Sequence, residues 1–163
     1  MTLRILILFL FFISIKSFSQ PFLCESGFTE DTMSLPEMNK VLEGSYLEAT
    51  LKDFTKVRLY KTAQNSYYLR ILVKKNIYFN KVGALEIRSG SKSITFKDVK
   101  QYKVDKTTGL FIHEVPKNYI YTLTEEGISS LYFANAETDF TRQDASQIRK
   151  MAKCFYEDIN SKK

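Results

Sequence analysis

The stretch KVRLYKTAQNSYYLRILVK, residues 56–74, alternates apolar and polar residues in two runs that are separated by a polar turn. The apolar positions of this alternation are Val57, Leu59, Leu69, Ile71 and Val73. A period of two places successive side chains on opposite faces of a strand. The stretch therefore predicts two antiparallel strands with one face in the core and the other in water.

The same period continues on both sides of this stretch. Upstream, Leu47, Ala49 and Leu51 alternate with polar residues. Downstream, two apolar alternations flank the turn Ser89-Gly90-Ser91, which predicts a hairpin with a glycine-containing loop. Further strands are predicted for residues 110–115, ending at Pro116, and for residues 119–123 and 131–136.

Helices are predicted at three places. Residues 34–37 (SLPE) have the form of a capping box and predict a short helix over residues 35–42. Thr122 and Thr124, followed by two glutamates, predict a second helix start. The strongest helix starts near Thr141, and its apolar face consists of Ala145, Ile148, Met151, Ala152, Phe155 and Ile159. The fold class is therefore α+β: an antiparallel β-sheet of hairpins covered by a C-terminal amphipathic helix.

The N-terminus has the pattern of an export signal. Arg4 precedes an apolar run over residues 5–15, and small residues stand at Ser17 and Ser19. The run is shorter than the roughly 20 residues that a membrane span requires. We therefore expect residues 1–19 to be a cleaved signal peptide, with an exported mature protein, periplasmic or extracellular, that has no transmembrane span.

The remaining chain has the size of one domain. We expect an N-terminal segment, residues 20–44, and a single α+β domain, residues 45–160. Two cysteines are present, Cys24 and Cys154. An even number in an exported chain predicts a disulfide bond between them. The alternative is two unpaired thiols, one of them buried as a small apolar side chain.

Charge is unevenly distributed along the chain. Residues 20–50 contain one lysine and six acidic residues, whereas residues 51–106 contain fourteen lysines and arginines and four acidic residues. The candidate anion-binding residues are Lys56, Arg58, Arg70 and Lys74, which would share the wet face of adjacent strands beside interleaved tyrosines. Such a patch suits polyanions such as acidic glycans, lipid head groups or nucleic acid. The alternative is that these are ordinary solvent-facing cations that discourage edge aggregation.

Catalytic motifs are not recognisable in the sequence. His113 is the only histidine, and no nucleophile motif accompanies it. Two carboxylate pairs, Glu125 with Glu126 and Asp139 with Asp144, have the residue types for glycoside cleavage. The first pair also stands where a helix N-terminus favours acidic residues. One histidine and two distant cysteines give no zinc-ligand spacing, and the single glycines give no phosphate loop. No cofactor or metal is predicted.

The chain resembles the small exported proteins of unknown function that are common in Bacteroidota-type bacteria. The residues that carry this resemblance are a Phe/Ile-rich signal ending in residues 17–20, a run of hairpins, a capped helix within residues 123–131, and a final helix with a cysteine. The resemblance implies a location outside the cytoplasm, and it transfers no functional residues.

Three hypotheses follow from the sequence. The first is a non-catalytic binding domain for an unknown protein or a polyanionic envelope component. The second is a small hydrolase outside the cytoplasm with dispersed active-site residues, near His113 or near residues 139–144. The third is an accessory protein of envelope assembly. Because no catalytic constellation is present, the sequence favours the first.

Overall fold

The structure is a computed structural model that describes Cys24 and residues 28–35, 40–53, 55–74, 82–134 and 136–161. The predicted signal peptide, residues 1–19, lies outside the described residues. The elements are β1 (Thr29–Leu35), β2 (Lys40–Thr50), β3 (Lys56–Thr62), β4 (Tyr67–Val73), β5 (Val82–Ser89), β6 (Lys92–Lys100), β7 (Tyr102–Lys103), β8 (Gly109–Glu114), α1 (Lys117–Glu126), β9 (Ser130–Phe133), β10 (Ala136–Asp139) and α2 (Arg142–Ser161).

The strands form two antiparallel sheets, which confirms the α+β class. The first sheet has the order β1-β2-β3-β4-β8-β7, and the second has the order β10-β9-β5-β6. Helix α2 packs on strands β2 and β3 of the first sheet and on helix α1. The sequence predicted the hairpins and this covering helix, but it did not predict that the strands divide into two sheets.

The core lies between the two sheets and the helices. The alternating apolar residues of β3 and β4 are each at most 2% exposed, as predicted. Phe111 of the first sheet meets Phe133 of the second edge to face, with ring centroids 5.0 Å apart. Helix α2 contributes Ile148, Met151 and Phe155, which are fully buried. Complete burial of one such side chain stabilises a fold by about 1.5–3 kcal/mol, so this apolar face holds the helix on the sheet.

The hairpin of β5 and β6 confirms another prediction. Its two-residue turn has Gly90 at φ 59°, a left-handed conformation that glycine adopts without steric cost. Leu85 and Ile87 are 1% exposed in the core, whereas Glu86 and Arg88 point outward and pair with each other. The alternation in the sequence therefore gave the correct face for each side chain.

The helix predicted over residues 35–42 is wrong. Leu35 lies in β1 and residues 40–42 lie in β2, two strands that pair in register from Thr29 opposite Tyr46 to Leu35 opposite Lys40. Residues 36–39 lie outside the described residues. The capping-box pattern is a local signal, and a helix interrupted by Gly44 would bury little apolar surface. Strand pairing instead satisfies the backbone hydrogen bonds over seven residues of β1.

The predictions for the segment after Pro116 are also wrong. A strand was expected over residues 119–123 and a helix start at Thr122–Thr124, but helix α1 begins directly after Pro116. Proline suits a helix start because it lacks an N–H that would otherwise be unpaired. The helix buries Tyr119, Ile120 and Leu123 at helical spacing. Glu125 and Glu126 consequently lie in its last turn rather than its first.

Gly127 ends helix α1 and allows close approach of helix α2. Its φ is 69°, and its N–H donates to the carbonyl of Leu123. A Cβ at this position would overlap the carbonyl of Ala145 in α2. The two helices are further joined by Lys117 Nζ, which donates to Asn160 Oδ1 at 2.7 Å, and by the rings of Tyr121 and Tyr156.

The segment that was predicted as one strand, residues 131–136, forms a hairpin. Strands β9 and β10 pair from Ala136 opposite Phe133 to Asp139 opposite Ser130. Ala134 lies between them with φ 49°, a conformation that is rare for residues other than glycine. The sequence contains a turn signal directly after it, Asn135, which the single-strand prediction did not use.

Cys24 and Cys154 form the predicted disulfide bond, with Cα atoms 5.8 Å apart. The bond ties the start of the described chain to the middle of helix α2. Neither helix in the described part of the chain combines the length and the apolar character that crossing a membrane requires.

Candidate functional site

The outer face of the first sheet carries two rows of side chains that run across the strands. Tyr46, Tyr60 and Tyr68 stand opposite one another on β2, β3 and β4. Two residues along each strand, Glu48, Arg58 and Arg70 form the second row in the same way. We call this surface the tyrosine–arginine face, and it consists of Tyr46, Glu48, Lys56, Arg58, Tyr60, Tyr68 and Arg70.

The tyrosine row is a packed aromatic platform. Tyr60 at its centre is 2% exposed, and the half-buried rings of Tyr46 and Tyr68 pack against it together with Ile112. Tyr46 and Tyr60 are stacked, with centroids 6.5 Å apart and planes inclined by 16°. The platform presents the flanking rings, rather than the central one, to solvent.

Tyr68, at the β4 end of the row, is held by a carboxylate. The hydroxyl of Tyr68 donates to Glu114 at 3.5 Å, which is at the long limit for a hydrogen bond. Partial burial and the negative charge of Glu114 raise the pKa of Tyr68. The phenol therefore stays protonated at neutral pH and can act as a donor.

Glu48 is the counter-ion of the second row. It accepts a hydrogen bond from Nε of Arg58, and Nζ of Lys56 lies 3.0 Å from its other oxygen. Burial alone would raise the pKa of Glu48, but the hydrogen bonds from Arg58 and Lys56 outweigh it and lower the pKa. The guanidinium of Arg58 also lies 4.1 Å from the ring centroid of Tyr46, within the range of a cation–π interaction.

The structure brings three of the four predicted anion-binding residues together. Lys56, Arg58 and Arg70 lie on the tyrosine–arginine face, and Arg58 and Arg70 are direct cross-strand neighbours. Like charges in this position repel each other unless anions compensate them. Lys74 follows directly after β4 and is exposed. Arg70 and Lys74 each interact with other groups of the protein.

The sequence predicted tyrosines beside the cations, but it did not predict that Tyr46, Tyr60 and Tyr68 align in one row, and it did not predict the role of Glu48. The register that aligns the three tyrosines depends on the two connections, residues 51–55 and 63–66, whose geometry is not visible in an alternation pattern. The one signal available was that a tyrosine occurs at a polar-face position on each of the three strands. Glu48 belonged to the acidic segment of residues 20–50 and was counted with it, although it lies opposite Arg58.

His113 lies on the inner side of β8, opposite Leu69. Its half-buried ring packs on Phe96, with centroids 4.3 Å apart. Burial lowers the pKa of His113, and Glu114 opposes this effect. The imidazole is therefore part of the edge of the core and lies on the other side of the sheet from the tyrosine–arginine face.

The second predicted carboxylate pair is divided between different roles. Asp144 is 5% exposed and accepts hydrogen bonds from the backbone and hydroxyl of Thr141, at 3.1 and 2.6 Å, and from the backbone of Lys52 at 3.0 Å. The N–H of Asp144 donates to the Thr141 hydroxyl in return, which completes a capping box. Asp139 is exposed on β10. Asp144, in the first turn of helix α2, thus completes the cap formed with Thr141 and anchors the helix to the connection after β2.

In the described part of the chain, no three side chains of His, Cys, Asp or Glu lie close enough together to hold a metal ion. No protein-family model matches the chain, and comparisons with curated proteins and with solved structures found no match.

Proposed function

We propose that this protein is an exported, non-catalytic binding domain that holds a polyanionic envelope component, such as an acidic glycan, on its tyrosine–arginine face. The observation that carries the proposal is the register of β2, β3 and β4, which places a row of tyrosines beside a row of two arginines and a glutamate. The predicted signal peptide, residues 1–19, and the disulfide bond both suit an oxidising compartment outside the cytoplasm.

The two rows offer complementary interactions to one extended ligand. The exposed parts of the Tyr46 and Tyr68 rings supply aromatic stacking surface on either side of the buried Tyr60, on strands about 10 Å apart. The guanidinium groups of Arg58 and Arg70 suit carboxylate or sulfate groups, which they can bind through two parallel hydrogen bonds. An acidic glycan, whose sugar rings carry the anionic groups, fits such a surface.

Glu48 limits the affinity of this face. The Arg58 guanidinium already donates to Glu48, so an incoming anion either shares the guanidinium or displaces the carboxylate. The cations Lys56, Arg58, Arg70 and Lys74 nevertheless outnumber the carboxylates of Glu48 and Glu114. We therefore expect moderate affinity that falls as salt screens these charges.

The test is retention of the oxidised protein on immobilised alginate, an acidic glycan, with dextran as the neutral support. The double variant R58Q/R70Q should elute at much lower salt than the natural protein. R149Q/K150Q removes the same charge from the exposed side of α2 and should elute like the natural protein. Thermal unfolding of each variant ensures that only folded protein is compared.

Two results would contradict the proposal. One is equal loss of retention in R58Q/R70Q and R149Q/K150Q, which would mean that net charge alone governs binding. The other is no retention on alginate together with purification in fixed ratio with one membrane complex. That result would favour an accessory role in envelope assembly.

A further inference from the structure

The cations of the tyrosine–arginine face have a carboxylate on each side. Glu48 on β2 lies opposite Arg58 on β3, and Arg58 lies opposite Arg70 on β4. In the neighbouring row, Tyr68 on β4 lies opposite Glu114 on β8. The two arginines of the central strands are therefore flanked by Glu48 on one side and by Glu114 on the other.

Both carboxylates are accessible to a ligand. The side chain of Glu48 is 19% exposed, and Glu114 is exposed. Glu48 accepts a hydrogen bond from Arg58 and lies 3.0 Å from Nζ of Lys56. Glu114 accepts a hydrogen bond from Tyr68. Because a carboxylate has about four lone-pair sites, each of the two can accept a further hydrogen bond.

A chain with a negative charge on every unit meets repulsion at these two carboxylates. Arg58 and Arg70 attract the middle of such a chain, but its flanking anions lie toward Glu48 and Glu114. Two like charges about 4 Å apart in water repel each other enough to weaken binding about five-fold. A uniformly charged chain is therefore a poor match for this face.

A neutral sugar makes better use of the same two positions. Its hydroxyl groups donate hydrogen bonds to carboxylates, and hydrogen bonds to a charged acceptor are stronger than those between neutral groups. The half-buried ring of Tyr46 lies two residues from Glu48 on β2, and that of Tyr68 lies opposite Glu114. Each end of the face thus combines an aromatic ring with a hydroxyl acceptor, whereas its centre offers two guanidinium groups.

We infer that the preferred ligand of this face is a mixed glycan in which an acidic sugar is flanked by neutral sugars. The inference rests on the proposed function and narrows its ligand class. The acidic sugar lies over Arg58 and Arg70, and its neutral neighbours lie over the two ends of the face. The glycan crosses β2, β3, β4 and β8, a width of about 14 Å at the usual strand spacing.

The probe pair is a hexasaccharide of hyaluronan, with a carboxylate on every second sugar, and hexagalacturonate, with a carboxylate on every sugar. The affinity of the oxidised protein for each is measured by titration calorimetry in calcium-free buffer at the same low ionic strength. We expect about five-fold tighter binding of the hyaluronan hexasaccharide, although it carries half as many charges. Attraction by net charge alone predicts the opposite order.

The variant E48Q/E114Q tests the two flanking carboxylates. It keeps the shapes of both side chains and removes their charge, so hexagalacturonate should bind at least five-fold more tightly than it binds to the natural protein. The preference for hyaluronan should therefore disappear. E43Q/E157Q removes the same charge at two exposed glutamates outside the face and should keep the preference. Thermal unfolding ensures that each variant is folded at the temperature of the titration.

Two results would overturn the inference and leave the proposed function intact. One is tighter binding of hexagalacturonate by the natural protein that is lost in R58Q/R70Q. The other is a preference for hyaluronan that E48Q/E114Q does not change. Absence of binding of both hexasaccharides would also overturn the inference, and retention on alginate would then decide separately whether the proposed function holds.

Discussion

Replacing Glu48 by glutamine tests whether this residue is the internal counter-ion of the tyrosine–arginine face. The carboxylate contacts two cations, Lys56 and Arg58, and the side chains of Glu48 and Arg58 are only 19% and 20% exposed. The substitution keeps the shape of the side chain and removes its charge. We therefore expect it to lower the free energy of unfolding and to strengthen binding of polyanions.

The size of the stability loss follows from the two contacts. The Lys56 side chain is 41% exposed, and an exposed ion pair contributes about 0.2–1 kcal/mol. A hydrogen bond between charged groups contributes about 1.5–3 kcal/mol, and the glutamine oxygen still accepts a weaker one from Arg58. The expected loss at pH 7 is therefore about 1–2 kcal/mol.

Urea unfolding as a function of pH separates charge from packing. The lowered pKa of Glu48 in the folded protein means that its ionised form stabilises the fold above the unfolded value of 4.5. This contribution is lost as the pH falls through the folded pKa. The difference between E48Q and the natural protein should therefore be full at pH 7 and should shrink below pH 4.5. Urea is used because, unlike guanidinium, it does not screen ion pairs.

The matched control is E43Q, which changes an exposed glutamate of the same strand. It should alter the free energy of unfolding by less than about 0.5 kcal/mol. A loss for E48Q that is equally large at pH 7 and at pH 3 would refute the counter-ion argument, since it would be a packing effect. Unchanged elution from alginate would refute the argument that Glu48 competes with the ligand.

Three further substitutions test the fold. Cys154→Ser opens a loop of 130 residues, and by the chain-entropy model it should lower the free energy of unfolding in urea by roughly 4–5 kcal/mol. The natural protein with reductant should unfold at the same urea concentration as this variant. Gly127→Ala places an alanine at a positive φ, with its Cβ against the α2 backbone. It should lower the free energy of unfolding by about 1–3 kcal/mol, measured by calorimetry, and an unchanged midpoint would contradict the close helix contact. Asp144→Ala removes the carboxylate that accepts from Thr141 and from the backbone of Lys52, and it should cost about 2–4 kcal/mol in denaturant, whereas Asp139→Ala on the surface should change little.

The parts of the fold that follow from local periodicity were predictable. Alternation in β3, β4 and β5 placed Leu59, Ile71 and Ile87 in the core, and helical spacing did the same for Phe155 of α2. These patterns work because burial of one face dominates the energetics of a strand or an amphipathic helix.

The errors occurred where short segments carry competing local signals. Residues 35–42 resemble a capped helix, but Leu35 and residues 40–42 belong to strands that pair with each other, and the capping pattern does not show this pairing. Thr122 and Thr124 resemble helix caps, yet the helix already starts at Pro116 because the buried stripe begins with Tyr119. The turn after β9 was missed because Asn135, the turn signal next to Ala134, stands alone within an otherwise apolar segment.

The candidate site was predictable only in part. The clustering of cations on one strand face follows from charge and period, and Lys56, Arg58 and Arg70 do share that face. Their pairing with Glu48 and the tyrosine row depends on which strands are neighbours. Such contacts between distant segments cannot be predicted from a local sequence pattern.

The bond between Cys24 and Cys154 also sets an order of events during synthesis. Because Cys154 follows Cys24 by 130 residues, Cys24 has no native partner until the chain has been synthesised as far as α2. The strands can pair earlier, but the N-terminal thiol must wait for α2. Closure of this bond is therefore a late step, and a chain truncated before Cys154 carries a thiol that is available for pairing with other molecules.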